Sequence, residues 1–390
     1  MDTNFLTTVA DVLGVDTAAL DRASNSASVV SWDSVRHWDL ISTLEASYEV
    51  DFTMDEAAGF EHLGHLHDAL VTRGVLQGTG SLSDEGDFPL VVEAFEHVTG
   101  RYDFLRRGLE ESWRADGRTW LADAERVLSL LRRQAGDTRA GFLEALDGYV
   151  HLSLEYLKLQ AELRRTGRYH FSSFEQARQA VYDNPAVMDR YYLHGVLAST
   201  VFWRNHYQVL RAFRDAFVAR QREGSGLNVE VGTGHGLFTS LLLEHCPGWR
   251  TVGIDLSASS RAYTKRTLGF HGHAPERWAI QAGNIHDLPF QDGALDGLVC
   301  GEVLEHLEDP GAALQELRRV VKPSGRAWMT TAIYAANLDH IHLFRTVEEV
   351  RELVAEAGWQ LETERIVSND GTAWEQGMRD VPFSYAGILR

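Results

Sequence analysis

VEVGTGHGLFT, residues Val229 to Thr239, is the stretch on which the fold turns. A short apolar run enters three glycines, Gly232, Gly234 and Gly236, and a helical run, FTSLLLEHC, follows. Glycines at this spacing let the chain turn tightly out of a strand and bring its backbone close to a ligand. The helix start behind them offers unpaired N–H groups. Taken alone, the spacing suits any nucleotide-binding turn, and equally a plain tight turn. Glu230 narrows the choice, because an acid beside the turn suits a cationic ligand better than a pyrophosphate.

Working outward, VGIDLS sets Asp255 at the end of the next apolar run. An acid there takes both hydroxyls of a ribose. A cationic amino-acid headgroup together with a ribose points to S-adenosylmethionine rather than NAD. The same alternation continues over residues 227–390: LNVEVG, FTSLLLEHC, TVGIDLS, SSRAYTKRTLGF, WAIQAGN, LDGLVCGEV, ALQELRRVV and RAWMTTAIY. Short β-branched runs alternating with helical ones predict a Rossmann-like α/β layer, a mostly parallel sheet with helices on both faces.

Five motifs in order, VEVGTGHG, VGIDLS, GNIHDLPF, LDGLVCGEVLEHLEDP and LRRVVKPSGRAWMT, resemble the class I S-adenosylmethionine-dependent methyltransferases, especially the ubiquinone/menaquinone-methyltransferase-like group. The resemblance is close over about 227–330 and looser to 365. It implies that Glu230 with Gly232, Thr233, Gly234 and Gly236 holds the methionine moiety. It implies ribose and adenine contacts at Asp255 and Leu256, and the adenine edge at Asn284 and Ile285. Glu302 is expected to face the cofactor. Asn284 stands where the family usually has Asp, and KPSG replaces KPGG. Methyl transfer is an in-line displacement from a sulfonium, so alignment supplies much of the rate. A base helps where the acceptor must lose a proton. The candidates are His306 in VLEHLED, His206 in WRNHYQVL, and His340 and His342 in NLDHIHLF, a run expected to roof the substrate pocket. In some polyketide C-methyltransferases a comparable His pairs with a Glu after the fifth strand. MTTAIY holds no Glu, so that dyad is incomplete. No metal is expected.

Upstream, residues 90–223 read as helices: FLRRGLEESWRADG, TWLADAERVLSLLRRQAG and AGFLEALDGYVHLSLEYLKLQAELRRTG share the 3.6-residue period, each ended by a glycine or a glycine-containing turn. Tyr182, Tyr191, Tyr192, Phe202, Trp203 and Tyr207 crowd the stretch before the first strand, either as helix packing or as the wall of an acyl or aromatic pocket. QGTGSLSDEGDFP, residues 77–89, is small, polar and acidic, and reads as a linker.

Residues 1–76 form a separate block. The first 80 residues hold 13 acidic side chains against three Arg and no Lys. TNFLTTVADVL, the segment starting near Ser34 with Val35, Trp38, Ile41, Leu44 and Tyr48, and EHLGHLHDALVTRG carry helical apolar spacing. Ser34 follows Asp33 at the start of the second helix. It either caps that helix, as Asp33 would equally well, or carries a prosthetic arm. The order of helices and the segment WDSVRHWDLISTLEASYEVDF resemble the acyl or peptidyl carrier proteins, with Val35 in place of the usual Leu. That resemblance implies a four-helix carrier bundle and 4'-phosphopantetheine on Ser34. It also implies a phosphopantetheinyl transferase and assembly-line loading enzymes as partners, with an acidic helix for basic partners to read.

The whole chain has 390 residues, 44% hydrophobic and 24% charged, which suits two or three soluble domains. Its net charge of −19 disfavours nucleic acid as a partner. No apolar run suits a membrane span, and MDTNFLTT is not a signal peptide. Cys246 and Cys300 read as free thiols of a cytoplasmic protein. The expected function is methylation of an acyl or aminoacyl thioester on the chain's own carrier, in polyketide or nonribosomal-peptide secondary metabolism. The alternatives are methylation of a free small molecule, with the carrier used only for recruitment, and a non-catalytic carrier or scaffold protein.

Overall fold

Apolar residues three and four apart close the first helices on one another. The structure, a computed structural model, describes residues 3–26, 28–53, 56–57, 60, 62–73, 75, 87–102, 105–369 and 372–390. It divides into two compact units, Met1–Val92 and Glu93–Arg390.

In the first unit, α1 (Thr3–Leu13), α2 (Ser34–Tyr48) and α3 (Leu63–Thr72) form one apolar cluster. Phe5, Val9 and Leu13 come from α1, Leu40, Ile41 and Leu44 from α2, and Leu63, Leu66 and Leu70 from α3; all are buried. The buried face of α2 is therefore turned from the expected one, with Val35 and Trp38 exposed. Asp33 caps α2: its Oδ1 accepts the N–H groups of Val35 at 2.9 Å and Arg36 at 2.8 Å. Ser34 is thus the first helical residue rather than the cap; its side chain lies outside the described residues. Residues 77–86 of the expected linker, and 1–2, 27, 54–55, 58–59, 61, 74 and 76 of the expected bundle, also lie outside them.

The second unit joins the remaining helices to the sheet. It takes in most of α4 (Pro89–Arg101), then α5 (Arg106–Gln134) and α6 (Arg139–Thr166). As the sequence suggested, the α5 span is two helices that meet at a kink at Gly117, whose φ of 54° and ψ of −135° are not helical. Thr138 caps α6 at its start and left-handed Gly167 ends it. Short helical and π-helical turns from Phe174 to Tyr192 lead to α7 (Leu193–Phe202) and α8 (Arg204–Ala212).

The sheet strands are β1 (Ser225–Val231), β2 (Gly248–Asp255), β3 (Trp278–Ala282), β4 (Leu295–Gly301), β5 (Val321–Ile333), β6 (Leu361–Val367) and β7 (Phe383–Leu389). Between them run α9 (Leu237–His245), α10 (Ala258–Phe270), α11 (Pro310–Val320) and α12 (Val347–Glu356). Strand order is β3-β2-β1-β4-β5-β7-β6, with β1 to β5 parallel and β7 antiparallel to both β5 and β6. The sequence pattern did not single out β6 and β7. KPSG falls within β5, where the register against β4 shifts.

Residues of the helical stretch bond directly to the sheet layer. Gln160 Nε2 donates to the Tyr334 carbonyl at 2.9 Å, and its Oε1 accepts the Ala336 N–H at 2.8 Å. Tyr169 donates its hydroxyl to the Ala335 carbonyl at 2.9 Å. Those carbonyls belong to the segment just beyond β5, so the helices cover the carboxyl ends of the strands. Among the described residues no helix is long and apolar enough to cross a membrane. Cys246 and Cys300 are buried free thiols.

Candidate active site

The chain leaves β1 on one side towards β2 and returns on the other as β4. Such a reversal opens a crevice at the strand ends. Here a cavity of about 270 Å³ lies at that point, lined by residues from Leu152 to Ser384.

One end is built by the glycine turn. Gly232, Gly234 and Gly236 have φ of 74°, 48° and 75°, the left-handed region open to glycine. A Cβ on Gly232 would lie 2.5 Å from Val303 Cγ2, and one on Gly236 would lie 2.8 Å from Thr264 Cγ2. The turn is therefore packed from behind, which leaves its backbone towards the cavity. Glu230 is buried, and its Oε2 accepts the Thr239 N–H at 2.9 Å and the Thr239 hydroxyl. Burial pushes its carboxyl up to about 8, against those two hydrogen bonds and with the Asp255 charge adding to the rise. Asp255 is half-buried. Its Oδ2 accepts the Gly234 N–H at 3.1 Å, and its Oδ1 accepts the Ser257 N–H at 2.8 Å. Loss of water raises its carboxyl above the usual range.

The sequence-predicted residues Glu230, Gly232, Thr233, Gly234, Asp255, Leu256, Ile285 and Glu302 all line this cavity. Gly236 sits behind the lining, against Thr264. Asn284 is exposed, does not line the cavity, and accepts the His286 N–H on its Oδ1 at 3.1 Å.

His206, His306 and His340 line the far end. Burial pulls the His206 imidazole down to about 4 and the His340 imidazole to about 3, so both are neutral bases at physiological pH. His206 Nδ1 lies 3.1 Å from Ser199 Oγ, whose own hydroxyl donates to the Val196 carbonyl. His342, expected in the roof, instead packs its ring on Phe344, 4.5 Å between centroids. The aromatic stretch divides: Tyr182, Tyr192 and Trp203 line the cavity, whereas Phe202 and Tyr207 are buried outside the lining and Tyr191 lies outside it.

Two acids at this end escaped the sequence reading. Asp339 is fully buried; its Oδ2 accepts the hydroxyls of Tyr182 at 2.7 Å and Tyr192 at 2.6 Å. Burial alone would raise its carboxyl, but the nearby His306 and His340 and the two tyrosine hydrogen bonds hold it below the usual range. Glu305 is also fully buried, and burial raises it to about 7. Both stand directly beside a histidine in sequence, and acid–histidine neighbours were the signal available.

Residues 229–329 match the family described as a methyltransferase domain. The C-terminal part of the chain therefore carries a class I S-adenosylmethionine-dependent methyltransferase domain. An uncharacterized 37.1 kDa protein in a transposon of Streptomyces fradiae is 37% identical over 133 residues, 34% of this chain and 36% of that protein. The malonyl-[acyl-carrier protein] O-methyltransferase of Hahella chejuensis is 26% identical over 157 residues, 37% of this chain and 54% of that protein. The structure of the mitomycin 7-O-methyltransferase MmcR superposes with a TM-score of 0.43 at 18% identity, over 61% of this chain and 68% of that one. The chain spans between about a third and just over half the length of the first relatives it matches.

Proposed function

We propose that this protein methylates an acyl or aminoacyl intermediate held as a thioester on phosphopantetheine at Ser34, in cytoplasmic assembly of polyketide or nonribosomal-peptide type. One observation carries the methyl-transfer half: a single cavity joins Glu230, the glycine turn and Asp255 to an aromatic wall with neutral imidazoles. The residues fit S-adenosylmethionine. The glycine turn lines the cavity with its backbone, and two acids at its edge suit an ammonium and a ribose. When bound, the sulfonium supplies an electrophilic methyl group.

Glu230 and the Gly232–Gly236 turn hold the amino-acid end, Asp255 the ribose, and Leu256 and Ile285 the adenine faces in this reading. Asn284 reaches the adenine edge only by turning from its His286 bond. Tyr182, Tyr192 and Trp203 exclude water and orient the acceptor, and such alignment lowers the barrier. His206 accepts the acceptor's proton where one must leave.

The carrier half is supported by the acidic charge and helix order of the first unit, and by Asp33 taking the cap so that Ser34 is not needed for it. One relative is also named for an acyl-carrier substrate. Intact-mass measurement after incubation with a phosphopantetheinyl transferase and coenzyme A tests it: wild type gains the arm and Ser34→Ala does not. Turnover of a carrier-loaded acid should exceed that of the free acid. Equal turnover of both would leave the first unit a recruiting element. No binding of S-adenosylmethionine in calorimetry would leave a scaffold.

A further inference from the structure

Glu305, His306 and His340 come together at the acceptor end from two separate segments, the turn after β4 and the loop after β5. One ligand atom from each lies within 4.8 Å of the other two. Glu305 is fully buried; its Oε2 accepts the Thr331 hydroxyl at 2.7 Å, and among the described residues its Oε1 has no partner other than the neighbouring carboxyl of Glu302. Glu302 follows β4 just before that turn, and its buried carboxyl faces that of Glu305.

Both imidazoles are tied from behind. His340 Nδ1 lies 2.7 Å from the Ala335 carbonyl. His306 Nδ1 lies 3.1 Å from the Asp339 carbonyl and 3.6 Å from its Oδ2. Those acceptors assign the proton of each ring to Nδ1 and leave Nε2 with a lone pair. Asp339 is itself fixed by the hydroxyls of Tyr182 and Tyr192. A carbonyl or carboxylate on the far nitrogen is what sets tautomer and ring direction in metal-ligating histidines. Two imidazoles and one carboxylate are a donor set for zinc or ferrous iron rather than magnesium or calcium.

We propose that Glu305, His306 and His340 bind one divalent transition-metal ion whose remaining coordination positions face the methyl-transfer cavity. The ion takes the place of a proton between the Glu302 and Glu305 carboxyls, and it clamps the loop after β5 to the turn after β4. Its role in catalysis rests on the methyltransferase reading. There it holds an oxygen of the acceptor and lowers that group's proton affinity, while His206 on α8 stays free of the ion.

The test uses the untagged full-length chain, stripped with chelator and desalted, then titrated with zinc by calorimetry and with cobalt(II) by visible absorption. Wild type should take up one ion per chain, with a cobalt spectrum of low coordination number rather than that of the hydrated ion. His340→Ala and Glu305→Gln should each weaken binding by about 10–100-fold or more, the scale seen when metal-site partners are removed. Circular dichroism and binding of S-adenosylmethionine, followed on each variant, show whether it folds. Substoichiometric uptake by wild type overturns the proposal whatever the variants do; a proton shared between Glu302 and Glu305 would then satisfy both acids. Equal affinity in wild type and a folded His340→Ala also overturns it. Wild type that binds S-adenosylmethionine but no ion loses only this site. Wild type that binds the ion but not S-adenosylmethionine keeps the site and loses the methyltransferase reading.

Discussion

Glu230 and the glycines beside it carry the sharpest expectations at the scale of single residues. With its carboxyl at about 8 in the ligand-free protein, Glu230 is largely protonated at neutral pH. A cation against it favours the charged form, so binding expels the proton. Affinity for S-adenosylmethionine should therefore rise with pH up to about 8 and fall below it, by up to about tenfold per pH unit. Calorimetry between pH 6 and 8 reads this slope, and Glu230→Gln should flatten it. Asp255 is the other acid whose charge reaches Glu230, so an unchanged slope in Glu230→Gln would shift the linkage to Asp255. At Gly232 a methyl group meets both a positive φ and Val303 at 2.5 Å. Gly232→Ala should lose about 1–3 kcal/mol of stability, the scale of forced backbone strain, and bind the cofactor weakly. At Gly234 the added carbon meets nothing within 4 Å. Gly234→Ala should therefore cost only the left-handed penalty of about 1–2 kcal/mol. Thermal melts of the two variants compare them directly. The turn and the acids at its ends were legible because their chemistry is local to a few adjacent residues. Asp339 was not, because its importance comes from Tyr182 and Tyr192, far away in sequence.

Helices α2 and α5 show how local signals succeed and fail at the scale of elements. Asp33 supplies the start of α2 through two backbone N–H bonds. Asp33→Ala should cost about 1 kcal/mol, and Asp33→Asn close to nothing, because an amide oxygen caps as well. Urea unfolding followed on the first unit's signal reads the difference. The periodicity of α2 found a helix but not its rotation: Leu40 is inside, while Val35 and Trp38 are exposed. Several apolar residues lie around most of that helix, so spacing alone leaves the buried stripe open. In α5, Gly117 reads as a stop, and its non-helical backbone does end one helix there before the next begins. Strands β1, β4 and β5 were visible because parallel strands buried on both faces are continuous apolar runs. β6 alternates exposed and half-buried positions with charged residues, so it lacks that run.

Across the whole molecule, the helical stretch before the sheet forms one unit with it. Gln160 is buried and holds both the Tyr334 carbonyl and the Ala336 N–H. Gln160→Leu strands both backbone groups and should cost about 2–6 kcal/mol, at roughly 1–3 for each unsatisfied group. Loosening of the 334–336 segment should raise KM for the acceptor more than that for S-adenosylmethionine. Every cavity-lining residue belongs to the Glu93–Arg390 unit. A chain beginning at Asp87 should therefore bind S-adenosylmethionine with unchanged affinity in calorimetry; loss of binding there would count against an independent second unit.

By itself the sequence determined the mostly parallel sheet, the glycine turn and its two acids, and the described helices before them. Each of these is written in neighbouring residues, where periodicity and spacing have direct physical meaning. Only the tertiary structure decided that residues 93–223 share a unit with the sheet, and which aromatics face the cavity. It alone brought Glu305, His306 and His340 within reach of one another. These facts depend on chain returns of tens to hundreds of residues, where the choice is made by packing and by the pairing of buried polar groups.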